Sequence, residues 1–112
     1  MAIPAKQNLS ITRGDTETIV VTMKNSAGVV IDITGRTYRA HIRTTKDAAT
    51  TSGTFVCTVT NPTGGVVTCV MSAGSTAALT VGTQYWDFEE NDAGTVATIL
   101  SGTVNVLADV SR

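Results

Sequence analysis

Gly82-Thr83-Gln84-Tyr85-Trp86-Asp87-Phe88-Glu89-Glu90-Asn91-Asp92-Ala93-Gly94-Thr95-Val96 decides how this chain folds. Large apolar residues alternate with polar ones through Trp86 and Phe88. Asn91 to Gly94 then supplies turn chemistry, and a Thr/Val-rich run continues through Val104 and Val106. Alternation, a turn with Asn at its start and Gly at its end, and a second extended run describe a β-hairpin. Trp86 and Phe88 are expected on the core face, with Val104 and Val106 beside them on the partner strand and Gln84 pointing outward.

The rest of the chain speaks the same language. Twenty-one Thr, fourteen Val and seven Ile make β-branched residues more than a third of the 112 residues. Their stiff side chains favour strands over helices. The length fits one domain, expected over residues 8–112 behind a flexible N-terminal arm at 1–7. Strands are expected at about 8–12, 17–23, 29–33, 36–44, 54–60, 65–72, 83–90 and 95–107. A polar loop is expected at 46–53. One short helical turn fits 72–81, with Ser72 or Ser75 as cap and Gly82 as stop. The resulting fold class is all-β: a two-sheet antiparallel sandwich of about seven strands, immunoglobulin-like, with one helical turn.

A second hairpin has a readable register. Centring the Asn61-Pro62-Thr63-Gly64-Gly65 turn on Thr63 sets Phe55 against Met71, Cys57 against Cys69 and Val59 against Val67. All three pairs are apolar and share a face. The cysteines then read as buried thiols, reduced in the cytoplasm, rather than a disulfide.

Candidate sites are few. Arg39, His41 and Arg43 alternate with core-facing Tyr38, Ala40 and Ile42, and form a basic stripe. Its expected partners are Asp87 and Glu89 on a neighbouring strand, with Arg39, His41 and Arg43 as the possible partner surface. Glu90 and Asp92 near the turn are the one place where acids gather for a weak ion, although calcium needs six to eight oxygens. Arg13-Gly14-Asp15 spells an adhesion tripeptide, but Gly-Asp before a strand is ordinary turn chemistry. The lone histidine has no nucleophile motif beside it. No catalytic, cofactor-binding or metal-binding residues are assigned, and an enzyme is not expected.

Net charge is −1 without a basic block, so no nucleic-acid partner is expected. No apolar run approaches a membrane span, and Met1 to Lys6 lacks the apolar stretch of a secretion signal. No membrane partner is expected, and synthesis is expected in a reducing cytoplasm. Only 15% of residues are charged, which favours an assembly that covers part of the surface.

Several stretches resemble a known group. Arg13-Gly14-Asp15-Thr16 leads the first long strand. Ile31-Asp32-Ile33-Thr34-Gly35-Arg36-Thr37-Tyr38-Arg39-Ala40 runs acid, apolar, Thr-Gly, strand. Ala77-Ala78-Leu79-Thr80-Val81-Gly82 leads into Tyr85-Trp86-Asp87, and Gly94-Thr95-Val96 with Ser101-Gly102-Thr103-Val104 closes the hairpin. Together they resemble the small immunoglobulin-like domains of tailed-phage virions, such as the N-terminal domain of baseplate upper proteins. The resemblance implies a non-enzymatic structural protein of the virion, in the tail, baseplate, neck or head decoration, made in the host cytoplasm. Its partners would be copies of itself and other virion proteins. A surface poor in lysine, exposed strand edges and an arm without a core pattern lead us to expect a copy-to-copy contact near the arm and first strand. A carbohydrate- or surface-binding module is the alternative, for which Tyr38, Tyr85 and Trp86 are the available aromatic platforms beside two Phe.

Overall fold

The hairpin at the end of the chain is the spine of the molecule. In the computed structural model, which describes residues 5–25, 27–45 and 51–108, β7 (Gly82–Asp92) and β8 (Thr95–Leu107) are the two longest strands. Asp92 pairs with Thr95, leaving Ala93 and Gly94 as a two-residue loop. Both have positive φ, 52° and 93°, as a type I′ turn demands. The Asn91 side chain braces it by accepting the Gly94 amide at 2.9 Å.

The other strands are β1 (Ala5–Lys6), β2 (Leu9–Thr12), β3 (Glu17–Thr22), β4 (Thr37–Arg43), β5 (Gly53–Asn61) and β6 (Val66–Met71). One hydrogen-bonded path runs β1-β8-β7-β4-β5-β6-β3, and β2 also pairs with β8. The all-β expectation holds. The neighbours are immunoglobulin-like: β4, β7 and β8 lie together, as do β3, β6 and β5. The expected separation into two sheets is bridged by β5. Its start pairs with β4, Phe55 opposite Ala40, and its remainder pairs with β6.

Two details differ from the expected antiparallel sandwich. First, β1 and β2 run parallel to β8 in one constant register, Ala5 with Leu100 and Leu9 with Val104. Ala5–Lys6 in the expected arm is therefore strand, while residues 1–4 lie outside the described residues, as does the 46–50 part of the expected polar loop. Second, the expected strand at 29–33 reduces to an isolated bridge between Lys24 and Val30. Side-chain oxygens capture this backbone first: Asn25 accepts from the Ala27 and Val29 amides, and Asp32 from that of Thr34.

The β5–β6 register agrees with the alternation, with Cys57 opposite Cys69 and Val59 opposite Val67. Both thiols are free. The expected helical turn is α1 (Ala73–Ala77), capped by the Ser72 hydroxyl, which accepts from the Ser75 amide. Core residues come from both groups of strands: Phe55, Val67, Cys69 and Met71 face Ile42, Trp86, Phe88 and Val104. Tyr38 stacks on Phe88 with ring centroids 5.3 Å apart. Burial of this apolar surface is the main stabilising term.

Gln84 corrects the outward expectation. It has the parity of Trp86 and Phe88 and is buried. Its amide survives burial because both ends are bonded: Nε2 donates to the Thr80 carbonyl at 2.7 Å, and Oε1 accepts from the Ser52 hydroxyl.

Candidate functional site

The outer face of β4, β7 and β8 carries the polar chemistry. Strand pairing sets it out in rows. Arg39 lies opposite Glu89, His41 opposite Asp87 and Arg43 opposite Tyr85. On the other side of β7, Asp87 lies opposite Ser101, and Lys6 of β1 pairs with Ser101. A single row therefore crosses four strands as His41, Asp87, Ser101 and Lys6. It forms the floor of a groove of about 380 Å³, also lined by Arg43 and Tyr85.

The electrostatics centre on Asp87. Burial pushes its carboxyl above the usual carboxylate range, Glu89 adds to the rise, and His41, Arg43 and Arg39 oppose it. The row does not assemble a nucleophile relay. Asp87 stands between His41 and Ser101, which are two strand spacings, about 10 Å, apart. A base must reach its nucleophile within hydrogen-bond distance. The arrangement offers donors and acceptors to a polar ligand or a partner's side chains.

The basic stripe is thus divided. His41 and Arg43 line the groove, whereas Arg39 forms an ion pair with Glu89 beside a separate depression of about 150 Å³. The electrostatic ladder expected from the sequence is present at this rung.

Glu90 and Asp92, weighed as a weak ion site, are taken by a side chain that sequence reasoning missed. The Arg36 guanidinium reaches Glu90 at 3.3 Å and Asp92 at 3.4 Å. The Tyr38 hydroxyl donates to Glu90 at 2.6 Å. Burial, then this bond, lifts the Tyr38 phenol well above its ordinary value. Among the described residues no three His, Cys, Asp or Glu side chains cluster to hold a metal ion. No helix among them is long and apolar enough to cross a membrane.

Arg13-Gly14-Asp15 is a structural clasp. The Arg13 guanidinium donates to the Ala77 carbonyl at 2.8 Å, at the end of α1. The Gly14 amide donates to the Thr76 hydroxyl, which itself donates to the Asp15 carbonyl. The tripeptide is bonded inward at all three residues.

Cys57 and Cys69 lie opposite each other on β5 and β6. A hydrogen bond to Cys57, then burial, pushes the Cys69 thiol up, so it stays protonated at neutral pH. Cys69 is therefore the protonated donor of the pair, and the same bond holds the half-buried Cys57 thiol below its ordinary value.

No protein-family model matches the chain, and no curated protein sequence matches it. Solved structures do resemble it. The N-terminal domain of phage TP901-1 ORF48 has 15% sequence identity and a TM-score of 0.55, covering 96% of this chain and 90% of that one. The Lin-41 filamin domain has 14% identity and a TM-score of 0.47, covering 87% of this chain and 81% of that one.

Proposed function

We propose that this chain is a non-enzymatic structural module of a phage virion and works through protein–protein contacts. The observation that carries the reading is the fold shared with the phage TP901-1 ORF48 domain across almost the whole of both chains. The short motifs around Arg13, Thr34-Gly35 and Tyr85-Trp86 support it from the sequence side. So does a surface with few charges, since only 15% of all residues are charged. Its place would be the tail, baseplate, neck or head decoration, after synthesis in the host cytoplasm. Its partners would be other virion proteins and copies of itself, without nucleic acid or membrane.

The test is genetic. Deleting the gene and imaging the particles released by its host should show particles missing a part or failing to complete, and restoring the chain should repair them. Complete, infectious particles from the deletion strain would overturn the reading.

Carbohydrate or surface binding is a second reading, favoured by one feature: the groove sets Tyr85 beside His41, Asp87 and Ser101. Aromatic and hydrogen-bonding groups together suit a sugar. The burial of Trp86 removes the largest aromatic platform from that role. Calorimetric titration with a panel of host surface glycans separates the two readings.

A further inference from the structure

The path of strands ends at β3, and among the described residues no strand pairs with its outer edge. Its inner edge pairs with β6 from Glu17 opposite Met71 to Thr22 opposite Val66. The Met23 amide donates to Gly65 on the same side. By antiparallel alternation, Glu17, Ile19 and Val21 turn their backbone groups to β6, while Thr18, Val20 and Thr22 turn theirs outward. Proteins blunt such edges with Pro, Lys, bulges or short strands. Across the six residues Glu-Thr-Ile-Val-Val-Thr there is no Pro, Lys or bulge, and the one charge, Glu17, stands at the first position.

The other end of the path is different. There β2 is four residues long, the strand pairing is interrupted at Gln7–Asn8, and the Arg13 side chain bonds to the end of α1. Ala5–Lys6 and β2, near which a copy-to-copy contact is expected from the sequence, pair with β8 in two short pieces.

The face beside the β3 edge is free of charge. Thr18, Val70 and Val56 form one row across β3, β6 and β5, and Val20, Thr68 and Thr58 form the next. Val20 is 62% exposed and Val56 70% exposed, and Thr18, Thr22 and Thr58 beside them are exposed as well.

We infer that β3 pairs with β3 of a second copy, antiparallel about a two-fold axis through Val20. Thr18-Ile19-Val20-Val21-Thr22 is close to a palindrome. Antiparallel pairing centred on Val20 sets Thr18 against Thr22, Ile19 against Val21 and Val20 against itself. Thr–Thr and β-branched pairs are favourable cross-strand neighbours. Every backbone group turned outward by Thr18, Val20 and Thr22 gains a partner. Charge agrees as well. The exposed acidic end of each strand, at Asp15, passes beside exposed Lys24 of the second copy, and no like charges meet. A two-fold contact is self-complementary and closes at two copies. The joined sheet carries the Val/Thr face across both copies.

The contact is small. Six residues span about 20 Å of edge, which falls short of the roughly 1,200 Å² buried in stable free-standing complexes. Pairing is therefore weak in dilute solution and becomes firm where a larger assembly holds copies close together.

This inference deepens the assembly role proposed above, and its test is separate. Sedimentation velocity of the full chain from roughly 1 µM to 1 mM should show a concentration-dependent monomer–dimer equilibrium. Val20→Lys places two ammonium groups at the axis and should weaken the dimer by about tenfold or more. The exposed position leaves the fold intact, which an unchanged thermal melt would show. Under mild oxidation Val20→Cys should cross-link to a dimer much faster than Val56→Cys, which is as exposed but off the axis. A monomer throughout the concentration range, a dimer indifferent to Val20→Lys, or equal cross-linking of the two cysteine variants would overturn the pairing. Any of these results together with incorporation of the Val20→Lys chain into particles would leave the virion role standing without this contact.

Discussion

The Trp86 indole N–H donates to the Gln7 carbonyl at 2.7 Å, so the largest core side chain also clasps the N-terminal strand. The contact sits where the parallel pairing of β1 and β2 with β8 is interrupted. Gly102 lies opposite Trp86, and a Cβ on it would come within 2.2 Å of the Gln7 oxygen. Only glycine lets the strand approach this closely.

Replacing Trp86 tests both roles. Trp86→Ala should cost roughly 3–5 kcal/mol through loss of packing. Trp86→Phe keeps much of the packing but leaves the Gln7 carbonyl unpaired, and should cost about 1–3 kcal/mol. Hydrogen exchange would localise the second effect: the amides of Gln7 and its neighbours should lose protection before the β5–β6 hairpin does. Unchanged exchange at Gln7 in Trp86→Phe would contradict the clasp.

The Arg39–Glu89 pair should be weak. The Arg39 side chain is 62% exposed, and exposed pairs contribute about 0–1 kcal/mol. A double-mutant cycle at low salt should give coupling in that range, fading as salt rises. Coupling of Arg39 to Asp87 instead of Glu89 would contradict the register of β4 on β7.

Tyr38 makes stability depend on alkaline pH. Burial, then its bond to Glu90, raises the phenol above its ordinary value of 10.0. With the folded value above the unfolded one, its contribution is full below about pH 10 and is lost as pH rises through the folded value. Tyr38→Phe should lower stability at neutral pH by about 1–2 kcal/mol and flatten the loss above about pH 10. Parallel alkaline profiles for the two proteins would show that Tyr38 is not the responsible group.

Asp87 has the same sign at the acid end. Burial raises its folded value, which favours the neutral carboxyl. Its stabilising contribution is present below the unfolded value, about pH 4, and is lost as pH rises through the folded one. At neutral pH the ionised group is a burden. Asp87→Asn should raise the melting temperature at about pH 7, with the gain shrinking toward about pH 3. A lower melting temperature at neutral pH would mean that His41 and Arg43 hold the carboxylate more strongly than burial opposes it.

What the sequence disclosed follows from which forces are local. Alternation around Cys57–Cys69, and the Asn-to-Gly turn at 91–94, were legible because turn chemistry and period-2 patterning set a hairpin's register. The inward set Tyr38, Ala40 and Ile42 was legible for the same reason. Parallel pairing of β1 and β2 with β8 was not, since it joins residues 95 positions apart with no motif between them. Gly102 opposite an aromatic residue was the one hint of a close approach there. Gln84 was misjudged because its polarity outweighed its parity, and only the fold supplies Ser52 and Thr80 as partners. At the groove, the basic stripe was visible, whereas its division between Glu89 and the Asp87–Ser101 row depends on the registers of β7 with β4 and β8, which join residues distant in the chain. Arg36 was missed because its partners Glu90 and Asp92 lie on another strand.

The virion role meets its most direct test in quantitative mass spectrometry of particles purified from the host that carries this gene. The expected result is this chain at a fixed copy number relative to the principal structural proteins, retained through density-gradient purification. Its absence from intact particles, with the chain remaining in the host fraction, would contradict a structural place in the virion.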